Sequence, residues 1–382
     1  MKIIAIETRP LRIPYKTPFH WAQGVIEAAE VILVSVRTDE GITGYGECMS
    51  SASASAIESL VQQVASLCVG QSPFEISSLL SRGYRHLFAA RGNCSSPRFG
   101  AMVLAGLDMA LWDVLGKATK LAVHELLGGS VRDRIQYFGF PQGDSAEELA
   151  RSARYWVDQG CEVIYVKIGR GEAMDMAITE QVRDAIGDQR LRLDANEAWD
   201  GLTARRMSKA LSKFNIEFIE QPTSSDSITA LENVRAVSSV AIAADQAVFT
   251  PEDVFEVCRR RAADLIVLGL HETGGIGRFR KAAAIAEAAG INICLHGLYE
   301  TGITTCASNH VGATVANLDD GNQYMNHLLI EDIIRQPNLV LRKGQLPILP
   351  GPGFGFELDW DAIGRAEEAH QVAAAKSIRS ST

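Results

Sequence analysis

The chain has 382 residues, 47% of them hydrophobic and 22% charged, with a formal net charge of −9. The acidic balance excludes the basic footprint that nucleic acid or an anionic membrane surface requires, and no apolar run reads as a membrane span, so neither partner is expected. Length predicts two domains, or one large α/β barrel carrying a smaller domain. The opening MKIIAIETRPLRIPY is too short and too mixed for a signal peptide, and the seven cysteines, among them Cys94, are scattered without a CxxC pair. A reduced cytoplasmic protein with free thiols is the expectation.

In chain order, Ile3–Ile13 and Val31–Arg37 read as strands with a loop between them, and DEGITGYGEC supplies a turn and a third strand. From Ser53 to about Leu127 the periodicity is helical, clearest in AMVLAGLDMALWDVLGKA, until LLGGS breaks it. Beyond Arg134, apolar strand-like segments alternate with amphipathic helical ones: IQYFGF, VIYVKIG, LRLDAN, IEFIEQP, VAIAADQ, LIVLGL and INICLHG each precede a helix. Continuous apolar strands that alternate with helices predict a parallel sheet covered on both faces. Seven such units, with an eighth position near Leu328–Ile330, predict a closed (β/α) barrel. The tail from PGPGFGFELD onward reads as loop and then helix.

Barrel enzymes carry their chemistry at the carboxyl ends of the strands. Lys167 ends the second strand, Asp194 the third, Glu220 the fourth and Asp245 the fifth, spaced 27, 26 and 25 residues apart. A single acid at a strand end is often a helix cap or an ion-pair partner. Three in register repel one another, so a positive charge belongs among them. All-oxygen ligation points to a hard cation, and Mg²⁺, which keeps positions open for substrate, suits it.

The ordered set VKIG, LDANEAW, FIEQP and AADQ resembles the enolase superfamily, and GYGEC, DMALWDVLGK, LLGG, GLYETGI and PGPGFGFELD resemble its muconate lactonizing enzyme subgroup. The resemblance implies a modified (β/α)7β barrel over residues 131–350, with an N-terminal α+β capping domain over 1–130 that the tail 351–382 completes. It also implies one Mg²⁺ per subunit on Asp194, Glu220 and Asp245, a small carboxylate substrate and homo-oligomeric assembly. In such sites a Lys or His base removes an α-proton against the metal's charge. Lys167 is that base, acting as the free amine, a form that burial and a nearby cation favour.

Two departures from the subgroup shape the expectation. Where a Lys-x-Lys pair is usual, Tyr165 stands first; period-two geometry turns Tyr165 and Lys167 to the same face, where the phenol can donate to the substrate. In LIVLGLHETGG, Gly269 occupies the position of the subgroup's sixth-strand lysine. With one clear base, β-elimination or cycloisomerisation is expected first. Racemisation or epimerisation comes second, with His296 or His271 reaching into the space that Gly269 leaves. Asn196 and Gln246 are candidates for orienting the metal ligands, Glu300 for an acid near the metal, and Asp319 for a substrate contact. His20 and Trp21 fall on the capping loop that closes such sites. A Schiff-base lyase using Lys167, or a non-catalytic binding homologue, are the competing readings.

Overall fold

The computed structural model describes residues 1–50, 53–89 and 97–380; Cys94 and the last two residues of the tail lie outside these. The chain opens with three antiparallel strands, β1 (Ile3–Trp21), β2 (Gly24–Thr38) and β3 (Thr43–Met49), in the order β1-β2-β3. Most of the segment read as a loop is strand. Tyr15 and Phe19 are buried, which carries the β1 pattern onward, and a register shift between Pro14 and Phe19 lets the β1–β2 hairpin run out to a tip at Ala22 and Gln23.

Helices α1 (Ala54–Cys68), α2 (Ile76–Tyr84) and α3 (Pro97–Thr119) follow, and α3 packs directly on β3. The GYG of GYGEC explains that contact. A Cβ on Gly44 or Gly46 would fall on the backbone of α3 at Ala110 or Gly106, so only glycine lets helix and sheet approach this closely. Contrary to the reading of the sequence, Arg98–Thr119 is long and apolar enough to cross a membrane by length and composition. However, 83% of its most apolar window is buried within the protein. It is a core helix.

After β4 (Arg134–Gln136), six parallel strands follow: β5 (Val163–Lys167), β6 (Arg190–Asp194), β7 (Ile216–Glu220), β8 (Ala241–Ala244), β9 (Leu265–Leu268) and β10 (Asn292–Leu295). They lie in sequential order in one curved sheet, each joined to the next through a helix, which gives the expected barrel. Side-chain caps start several of these helices: Ser145 and Glu148 form a capping box, as do Thr250 and Asp253, and Asp200 caps Gly201–Leu211.

Closure is less regular than the strands. Gly139 bridges Ile164 beside β5, Leu318 bridges Ile293 beside β10, and Asn322 bridges Tyr137 between them. The eighth position therefore belongs to residues 317–323, not to Leu328–Ile330. Leu329 instead bridges Tyr15 of the hairpin, and the Ile330 amide donates to the Pro14 carbonyl. Asn322 does the work of a strand through its side chain, whose Oδ1 accepts from the Leu295 amide at 2.7 Å. The sequence here lacks an apolar run, yet the backbone still pairs with β10: the Ile293 amide donates to Asn317, and the Asp319 and Gln323 amides donate to Ile293 and Leu295. Finally the helix Trp360–Ser380 lies against β1: Glu367 pairs with Arg9 at 3.1 Å, and Trp360 meets Tyr45 edge-on at 6.1 Å.

Candidate active site

The parallel register pairs Lys167 with Asp194 and Asp194 with Glu220, so the three strand ends stand side by side. Lys167, 6% exposed, forms an ion pair with Asp194 Oδ2. The Tyr165 hydroxyl lies 2.5 Å from Asp194 Oδ2 and 2.8 Å from Glu220 Oε1. A phenol has one proton to donate, so one of these contacts needs a proton from the acid. Burial and the charges of Asp194 and Asp245 push Glu220 well above the usual carboxylate range. Phe138 stacks on Tyr165 at 4.3 Å between ring centres and holds the phenol against the acids. Tyr165 thus serves the carboxylates; it does not line the cavity above them.

Asp245 follows β8 directly, and its amide and that of Ala247 both donate to Gln221 Oε1, at 3.0 and 3.2 Å. Gln221, directly after Glu220 in FIEQP, thus holds the backbone at Asp245 and was not singled out in the sequence, while Gln246, which was, lines the cavity. Asn196 donates its backbone amide to Asp194 Oδ1 at 2.8 Å, while its side-chain Oδ1 and Gln246 Oε1 are buried without a partner. Burial, with the charges of Asp194 and Glu272, raises Asp245 to about 6 against the pull of His296.

Across the mouth, His296 follows β10 and its Nδ1 is bonded to Glu272 Oε1 and lies 3.5 Å from Asp245 Oδ1. Burial pulls His296 down, but Asp245 and Glu272 outweigh it and raise the imidazole to about 10. Glu272 went unnoticed in the sequence. It sits on the one-turn helix Leu270–Thr273, and a Cβ on Gly269 would fall on its Oε2. The space beside Gly269, where the resemblance implied a lysine, is filled by a carboxylate from three residues on. Asp245, Glu272 and His296 each bring one ligand atom within 4.8 Å of the others, a grouping that among the described residues the trio Asp194, Glu220 and Asp245 does not form.

Three other candidates fall elsewhere. His271 is not on a strand face: the chain turns helical after Gly269, and His271 is buried with Nε2 3.1 Å from Thr304 Oγ1, outside the cavity. Asp319 lies at the opposite end of the barrel, paired with Arg190 at 3.0 Å and Arg192 at 3.2 Å. His20 points outward, with Nε2 2.9 Å from Asp144, because on a strand it alternates with Phe19 and Trp21, both of which face the cavity. Glu300 is buried beside the site with Oε2 unpartnered; burial and the neighbouring charge of Glu47 push it up to about 8. Glu47, from β3, accepts from the Thr301 and Thr304 amides at 3.1 and 2.9 Å, so the capping sheet fastens the loop that carries His296 and Glu300.

Lys167, Asn196, Asp245, Glu272 and His296 line a cavity of about 330 Å³ roofed by the hairpin tip and the start of α3. The residues fit an oxygen-ligated divalent cation. Asp245 Oδ2 is buried with no hydrogen-bond partner, and the mutual repulsion of the acids calls for positive charge.

Residues 3–128 match the model of the mandelate racemase / muconate lactonizing enzyme N-terminal domain, and residues 148–362 match that of the enolase C-terminal domain-like family. The chain belongs to the enolase superfamily, in its muconate lactonizing enzyme subgroup. Within that subgroup it is 31% identical to muconate cycloisomerase 1 of Rhodococcus opacus, over 95% of this chain and 98% of the relative. It is 33% identical to the L-Ala-D/L-Glu epimerase of Bacillus subtilis, over 93% and 97%. The muconate lactonizing enzyme of Pseudomonas fluorescens, solved with muconolactone, superposes with a TM-score of 0.89 at 30% identity, covering 96% of this chain and 99% of the other. The superfamily assignment makes the chain an enzyme.

Proposed function

We propose that this enzyme removes the α-proton of a small carboxylate with Lys167, and that His296, ordered by Glu272, handles a proton from across the barrel. Asp194, Glu220 and Asp245 would hold Mg²⁺, with Gln221 and Asn196 orienting Asp245 and Asp194. When bound, the cation supplies the positive charge that makes an α-proton acidic enough to remove. Around it, the cavity excludes water through Trp21 and Phe19, Lys167 takes the proton on one side, and Glu272 holds the His296 ring towards the other.

The observation that carries this reading is that Lys167, at the end of β5, and His296, directly after β10, line one cavity from the two edges of the six-stranded sheet. Where the resemblance would place a lysine, Gly269 stands and His296 offers the second acid–base group, so inversion at the α-carbon stands ahead of elimination. The reaction is a racemisation or epimerisation in which His296 returns a proton to the face opposite Lys167. Elimination or cycloisomerisation is the second reading, favoured by the Glu272–His296 ion pair, which keeps His296 a proton donor. The same packing of Trp360–Ser380 on β1 supports taking 1–130 with 351–382 as the capping domain and 131–350 as the barrel.

A screen of carboxylates in D₂O, followed by NMR with the Mg²⁺-loaded enzyme, tests the proposal. Exchange at the α-carbon accompanied by inversion, and lost in Lys167→Ala, is the expected result. Exchange that survives Lys167→Ala removes Lys167 as the base; exchange accompanied by loss of a β-substituent selects the second reading.

A further inference from the structure

Removing a proton beside a carboxylate leaves negative charge on its oxygens, so a site for that step gains from a hydrogen-bond donor aimed at them. The donors expected from the sequence are already spent. The Tyr165 hydroxyl lies against Asp194 and Glu220, Lys167 is paired with Asp194, and His296 is paired with Glu272. Tyr299, four residues beyond β10, is in a different position. It lines the same cavity, and its hydroxyl has no hydrogen-bond partner among the described residues. The hydroxyls of Tyr15 and Tyr137 also lack partners, but those two are sealed in the interior.

Local structure explains how the ring reaches the cavity. Tyr299 has a φ of 51°, in the left-handed region that a bulky side chain seldom adopts. Such backbone persists where its surroundings hold it, and here both flanks are held. The Gly297 amide donates to Gln323 Oε1 at 3.3 Å, and the Thr301 amide donates to Glu47 at 3.1 Å. The turn lets Leu298 and Tyr299, consecutive in the chain, both line the cavity, while the Glu300 carboxylate folds back against Gly297. Phe19 of the hairpin, 2% exposed, meets the Tyr299 ring edge-on at 5.9 Å between centres and is itself packed on Phe140 at 5.5 Å. The ring is fixed and the hydroxyl is free. Burial and the charges of Asp194 and Asp245 raise the phenol above its usual range, so it keeps its proton and stands as a neutral donor within reach of those acids.

We propose that the Tyr299 hydroxyl binds the reacting carboxylate of the substrate, donating a hydrogen bond to an oxygen on which charge gathers as the α-proton leaves. It takes the part expected of Tyr165, which the structure turns towards the acids instead. The proposal rests on the reading of Lys167 and the acids as the reacting end, and it adds to that end a catalytic contact from the loop after β10.

Oxalate tests it, as a planar dianion close in charge and shape to a carboxylate that has lost its α-proton. Calorimetry compares the Mg²⁺-loaded wild type with Tyr299→Phe, which keeps the ring on Phe19 and removes only the hydroxyl. Tyr299→Phe should bind oxalate about 10- to 100-fold more weakly, the worth of a hydrogen bond to a charged group. Its melting temperature, and its Mg²⁺ affinity without oxalate, should match the wild type, because the hydroxyl bonds nothing in the free protein. A loss of oxalate affinity matched by an equal loss of Mg²⁺ affinity, or accompanied by a drop in melting temperature, overturns the contact. Equal oxalate affinity in the two proteins removes the contact and leaves the reacting end standing. A wild type that binds no oxalate with Mg²⁺ present removes the reacting end, and the contact with it.

Discussion

On β5, β6 and β7 the working side chains are the last residues of their strands: Lys167, Asp194 and Glu220 are neighbours because parallel pairing puts them in one row. On β9 and β10 the last strand residues are Leu268 and Leu295, and the polar groups arrive from beyond, Glu272 from a single helical turn and His296 from the residue after the strand. The first half is fixed by sheet register, and a shift of one residue would turn the row to the other face. The second half is set by how the chain leaves the sheet, so a carboxylate three residues late can fill the place of a lysine. Chemistry written into register is rigid; chemistry written into a turn can be rewritten.

Breaking the register side should cost most. Lys167→Ala is expected to reduce α-proton exchange by about 10³-fold, within the span that a positioned base contributes, while the fold is kept; NMR in D₂O and circular dichroism read the two together. On the turn side, Glu272→Gln keeps the shape but releases His296. Inversion should fall by about 10²-fold while exchange from the Lys167 face falls less, a split visible when the two enantiomers of one substrate are compared. Equal losses from both enantiomers would deny His296 a face of its own.

Gly269→Ala sharpens the contrast, because the new methyl group falls on the Glu272 carboxylate. A destabilisation of about 1–3 kcal/mol is expected, with a larger loss of inversion than of exchange, and chemical denaturation beside the NMR assay measures both.

The acids make a prediction about pH. Glu220 and Asp245 bind their protons more tightly folded than unfolded, so between about pH 4 and their folded values the native state holds more protons, and stability falls as pH rises. Mg²⁺ held on these acids, as proposed, would replace those protons. Melting temperatures without the ion should drop as pH climbs from 4 to 7, and added Mg²⁺ should flatten the drop and raise the whole curve. Smaller still is Asp108 on α3, which accepts from the Ile276 amide at the head of a barrel helix and is raised to about 7 by burial. Asp108→Asn should gain on the wild type in melting temperature as pH rises through that range, and match it most closely near pH 4.

What the sequence made legible follows the same division. The βα alternation and the spacing of Lys167, Asp194, Glu220 and Asp245 could be read because a strand ending in a charge leaves a visible mark in an apolar run. The length of the hairpin was missed because Pro14, Lys16 and Thr17 interrupt the apolar pattern while Tyr15 and Phe19 continue it. The closing segment 317–323 was missed because NLDDGNQ is polar, although its backbone pairs with β10 and the Asn322 side chain adds a further bond. Glu272 was hidden by the assumption that β9 continued past Gly269. Gln221 was passed over because a glutamine before a proline looks ordinary until the groups facing it are known.

At the foot of the barrel, Arg192 is 1% exposed and bonds inward to Glu217, Asp319 and the carbonyls of Asp320 and Gly321. Such a plug of fully matched ions fills the lower bore as a stopper fills a flask. The cavity therefore meets solvent at the other end of the bore, where the hairpin tip and the start of α3 stand over it, and a ligand has to pass between them.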